Sequence, residues 1–154
     1  MCKGQYQTTK DWDKQPVDEL DIIEAYGGEG PGHPNFGIGY MITPHAWSQP
    51  EAVQAIANKA FKEINPVRMS KFGIPSMWHE AFHTYGCKIT ETDTIYYCDS
   101  IEVGRHPTLP VSKQKRLFFL INLGTGGGWP VDLSRYNGVA DMYVDFVRVY
   151  QGKK

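Results

Sequence analysis

Six residues, Glu19-Leu20-Asp21-Ile22-Ile23-Glu24, constrain this chain more than any other stretch. Leu20, Ile22 and Ile23 favour a β-strand, in which residues i and i+2 share a face. Glu19 and Asp21 then point the same way. Glu24, five places after Glu19, points the opposite way in a regular strand. A β-bulge inserts one residue and restores the parity, and such bulges often sit beside active sites. With the bulge at Ile22-Ile23, all three acids line one face and the isoleucines enter the core. The plain alternative is an acidic strand facing solvent, for which the Glu19–Asp21 alternation is enough. Two carboxyl groups held close on a rigid surface are what glycosidic bond cleavage needs.

The remaining composition narrows the field. A chain of 154 residues suits one domain with a real core. A net charge of -1 and a pI near 6.5 argue against a nucleic-acid footprint. Lys113, Lys115 and Arg116 form one tight basic cluster, which a solvated loop explains. No apolar run is long enough to span a membrane, and residues 1–18 lack the apolar region of a signal peptide. Cys2, Cys87 and Cys98 are an odd number without zinc spacing, and Cys87 and Cys98 read as free buried thiols or a cross-strand pair. The 9 Tyr, 7 Phe and 4 Trp, with 16 Gly and 10 Pro scattered as turn punctuation, fit a β domain with many turns.

Along the chain, residues 1–16 read as a polar lead-in, and 17–26 as the acidic strand closed by the turn signal at 27–32. A second strand covers 36–47. After Pro50, Val53, Ile56, Ala60, Phe61 and Ile64 recur at helical spacing, so 50–64 is a short amphipathic helix. Strands return at about 81–89, 93–99, 100–105, 116–123 and 141–151. Short turns without βαβ alternation predict an all-β antiparallel sandwich carrying one inserted helix, in a single domain over 17–151.

Several stretches together match one family. Glu19 to Glu24 resembles the bulged Glu-x-Asp-x-x-Glu motif of glycoside hydrolase family 16. Phe82-His83-Thr84-Tyr85-Gly86, Asp93 to Asp99, Phe118 to Pro130 and Met142 to Tyr150 are similar to later segments of those enzymes, in the same order. The resemblance implies a jelly-roll sandwich of the concanavalin A type and endo-acting, retaining hydrolysis of β-linked polysaccharide, laminarinase-like, without a required cofactor. It implies Glu19 as nucleophile, Glu24 as general acid/base and Asp21 between them. It further implies export to the periplasm or beyond. Four effective strand steps put the outer Cα atoms about 13 Å apart at roughly 3.3 Å per residue. Side chains leaning inward can close that to the carboxyl separation of retaining enzymes, about 5–5.5 Å.

The same context makes His45 and Trp47 candidates for substrate binding, His45 by hydrogen bonding and Trp47 by stacking on a sugar. The other reading is a half-buried pair at a strand end. Trp129 is a stacking candidate in its glycine-rich loop, and His83 reads as a structural hydrogen-bonder. Asp145 stands where the family often holds a structural calcium; otherwise it pairs with Arg148 or solvent. Family members carry a run of strands before the acidic motif, and 18 residues precede Glu19 here. The expectation is a fragment, or a domain completed by a partner, with exposed sheet edges and self-association. Three rivals stay open: a carbohydrate-binding, lectin-like module without turnover, a galactan hydrolase of the agarase or carrageenase type, and a purely structural fragment whose sheets another polypeptide completes.

Overall fold

The computed structural model describes residues 15–26, 39–124, 133–134 and 137–152. Strands β1 (Val17–Glu24) and β2 (Met41–Trp47) form an antiparallel ribbon. Helix α1 (Glu51–Ile64) follows, and then a 3₁₀ turn at Met69–Phe72. Strands β3 (Tyr85–Ile89), β4 (Asp93–Cys98) and β5 (Ile101–Pro107) make a three-stranded antiparallel meander, and the short helix α2 spans Pro110–Gln114. No described helix is long and apolar enough to cross a membrane.

This corrects the expected all-β jelly roll. The described architecture is mixed α/β, with two small open sheets and helices packed on them. Residues 116–123 and 141–151, expected as strands, have no strand in the structure. Their alternation is strand-like, yet a strand exists only where a neighbour takes its backbone N–H and C=O groups. Phe119, Leu120, Tyr143, Val149 and Tyr150 are consequently exposed. The other strands and α1 lie within a few residues of their expected positions, with β3 starting at Tyr85 and β2 at Met41.

Two apolar clusters position the ribbon. Tyr40, Ile42, Val67, Met69, Tyr96 and Val103 form the main core, and the bulge residues Ile22 and Ile23 pack against it. Ala46, Ala57 and Leu109 form the second, joined by Leu20 and Val53. Helix α1 thus covers the back of the ribbon through Ala57 and Ala60, while Ile56 and Phe61 of its expected apolar face remain exposed. It also crosses β5 at Gly104, where a Cβ would fall 2.8 Å from the Ile64 side chain. The Asn65 side chain, just past α1, donates to Ile42 O (2.6 Å) and accepts from Ile42 N (2.8 Å), satisfying the β2 residue opposite the bulge. Asp99 and Ser100, at φ 49° and 68°, make the two-residue turn that the right-handed strand twist favours between β4 and β5.

Candidate active site

The register of the ribbon decides how the acids face. Glu19 pairs with His45 and Asp21 with Thr43, but Glu24 pairs with Met41. Ile22 and Ile23 therefore stand opposite the single residue Ile42, which is the bulge the sequence predicts. Both isoleucines turn to the core, and the carboxylates of Glu19, Asp21 and Glu24 all act on one imidazole, that of His45.

Each acid has its own partner. The Trp47 indole N–H donates to Glu19 Oε2 at 2.6 Å, a charge-assisted bond that fixes the carboxylate's orientation. His45 Nε2 lies 3.4 Å from Asp21 Oδ2. The Tyr26 hydroxyl donates to Glu24 Oε1 at 3.0 Å, and the Thr43 hydroxyl donates to Glu24 Oε2. Burial, with the Glu24 charge beside it, pushes the Tyr26 phenol up to about 12, so it stays a donor at neutral pH. The His45 and Trp47 rings stack with centroids 4.6 Å apart and planes 18° from parallel, and Trp47 is 52% exposed.

The hydrogen bond with Asp21 raises the pKa of His45 above the ordinary imidazole value; burial opposes it, and the charges of Asp21, Glu19 and Glu24 add to it. A raised folded-state pKa means the pair's stabilisation is complete below the unfolded value, about 6.5. It is lost as pH rises through the folded value. The His45 Hε1 resonance is expected to titrate with a midpoint above that of a free imidazole and to move down in Asp21→Asn. An unchanged midpoint in the variant would remove Asp21 as the cause.

Sequence reasoning missed the roles of Thr43, Tyr26 and Asp18. Asp18 points to the face opposite Glu19 and is fully buried. It accepts from Gln49 Nε2 at 2.5 Å and from the Ser112 amide at 2.6 Å. The signal was its strand parity, shared with Leu20 on the core side.

The remaining candidates fall elsewhere. Trp129 lies outside the described residues. Asp145 is exposed in a segment without regular structure, and among the described residues it belongs to no group of three or more His, Cys, Asp or Glu side chains within ligating distance of one another. His83 is the structural hydrogen-bonder expected: its Nδ1 is 2.6 Å from Asp99 Oδ2, with 3% of the side chain exposed. Desolvation pushes the Asp99 carboxyl up, but the bonds from His83 and the Thr84 amide outweigh it and hold it below its usual range. Cys98 joins His83 and Asp99 within 4.8 Å. Burial, then the Asp99 charge, raises the Cys98 thiol to about 11, so it is protonated at neutral pH and is not a ready ligand. Cys87 and Cys98 are both free thiols.

Two known proteins are similar to this chain in sequence. The chain is 37% identical over 134 residues, 86% of its length, to the endo-1,3-1,4-beta-glycanase EglC of Rhizobium meliloti (strain 1021). It is 35% identical over 74 residues, 45% of its length, to the endo-1,3-1,4-beta-glycanase ExsH of the same organism. The chain is a distant, partial homologue of endo-β-glycanases. It spans 23% of the length of EglC and 15% of ExsH. No family model and no solved structure matches.

Proposed function

We propose that this chain carries the catalytic strand of a retaining endo-β-glycanase of the family 16 type, acting on β-1,3- or mixed β-1,3/1,4-glucan. The observation that carries the reading is the register shift between Asp21 and Glu24, which sets three carboxylates around His45. The activity for which the two relatives are named agrees with it. Glu24 protonates the leaving glycosidic oxygen while Glu19 attacks the anomeric carbon and forms a glycosyl-enzyme. Glu24 then takes the proton of the incoming water. Trp47 holds the nucleophile's carboxylate, and His45 holds Asp21 between the two glutamates. No redox or organic cofactor enters these steps.

The test is reducing-end release from lichenan, laminarin, agarose and carrageenan, with Glu19→Gln in parallel. Release from a glucan is expected, falling at least about 10³-fold in the variant. Release from the galactans alone would move the substrate to that class. Binding without release, equal in both proteins, would replace the enzyme with a lectin-like module.

A further inference from the structure

The acids of β1 and the polar residues of β2 do not bond straight across the ribbon. Glu19 stands opposite His45 but takes its hydrogen bond from Trp47. Asp21 stands opposite Thr43 but pairs with His45. Glu24 stands opposite Met41 but takes its bond from Thr43. Thr43, His45 and Trp47 alternate along one face of β2. Each acid is therefore served from two places beyond its register partner, and the stagger is the same on both sides of the bulge.

The partners at the two ends differ in chemistry. An indole N–H only donates. A proton on Glu19 Oε2 would face that hydrogen with no lone pair to receive it. A threonine hydroxyl donates to a bare oxygen and accepts from a protonated one. Thr43 can therefore keep its bond to Glu24 Oε2 whether or not that oxygen carries a proton, and Trp47 cannot do this for Glu19. In the proposed mechanism Glu24 loses and regains a proton in every turnover, while Glu19 stays a bare carboxylate until it attacks. The two partners match these two tasks.

We infer that Thr43 is the positioning residue of the general acid/base, its hydroxyl turning with each change in the protonation of Glu24 so that the carboxyl stays aimed. The inference rests on the glycanase reading and deepens it. The hydroxyl exchanges no proton with the substrate. It rotates about its C–O bond, and the proton passes between Glu24 and the sugar oxygen or water. Thr43 is 9% exposed, so water has little access to replace the bond. Its backbone is held by the ladder to Asp21, and the Tyr26 hydroxyl holds the other oxygen of Glu24. With both oxygens bonded, the plane of the carboxyl is fixed.

The experiment compares Thr43→Val and Thr43→Ser with the native chain, on lichenan and on a 2,4-dinitrophenyl β-oligoglucoside. Valine keeps the β-branched shape and removes the hydroxyl, whereas serine keeps the hydroxyl. Dinitrophenolate needs no proton to leave, so its first-turnover release reports attack by Glu19, and the later turnover reports Glu24 as base. Thr43→Val is expected to lower kcat on lichenan, and the later turnover, about 10- to 100-fold. KM and the first-turnover rate are expected to stay near their native values, and Thr43→Ser to recover most of the loss. An equal fall in first-turnover and lichenan rates would mean that the ribbon itself is disturbed. That result, a native kcat in Thr43→Val, or a serine variant as slow as the valine one would overturn the role of Thr43 and leave the glycanase reading standing. No turnover of either substrate by the folded native chain would overturn both.

Discussion

Glu24→Gln is expected to lower lichenan hydrolysis by about 10³-fold, yet to spare the first step on a 2,4-dinitrophenyl β-oligoglucoside. Lichenan's leaving group is a sugar alkoxide, which needs a proton as the bond breaks. Dinitrophenolate leaves without one, so on the proposed mechanism the glycosyl-enzyme is still expected to form at Glu19. The second step has lost its base, so the intermediate accumulates. The measurement is a pre-steady-state burst of dinitrophenolate followed by slow turnover. Glutamine keeps the shape of the side chain between Tyr26 and Thr43, so the effect is one of chemistry. Equal loss on both substrates, or no loss on lichenan, would end the acid/base assignment.

The second large effect is on stability. Asp18→Ala is expected to cost about 3 kcal/mol, a large share of the roughly 5–15 kcal/mol that holds a domain together. The carboxylate is fully buried and takes hydrogen bonds from Gln49 and from the Ser112 amide, 94 residues away. Ser112 lies in the first turn of α2, which has no side-chain cap of its own. Asp18 satisfies a donor that every helix start leaves free. Alanine strands both donors, whereas Asp18→Asn keeps one acceptor and should lose less. Urea unfolding reads this as a lower midpoint at unchanged slope. A shift worth less than about 1 kcal/mol for alanine would mean the site relaxes or admits water.

Both results turn on a strand whose main features were legible in the sequence. The parity conflict between Glu19 and Glu24 has one local remedy, and the bulge at Ile22-Ile23 is that remedy. Helix α1 was legible because Pro50 starts it and its apolar spacing continues to Ile64. The turn at Asp99-Ser100 was legible because those residues accept positive φ. What failed was the step from strand pattern to strand pairing. Residues 116–123 and 141–151 look like strands, but alternation names no partner, and neither forms a strand of the described sheets. The all-β class failed with them. In the site, the acids, His45 and Trp47 were legible from one strand and its neighbour. Thr43 and Tyr26 were not, because a hydroxyl gives no signal until register puts it opposite a carboxylate.

The bulge has a consequence for how such a strand can diverge. Ile22 and Ile23 face the core as a pair, so one may be exchanged for another apolar residue with only packing at stake. Removing either one would take the extra residue out of the ladder: Glu24, then two places after Asp21, would keep its face but lose the bend and twist that the bulge imposes. The aim of Glu24 at this edge is therefore set by the extra residue between two acids as much as by their identity. Drift in the letters leaves that aim in place, and drift in the spacing changes it.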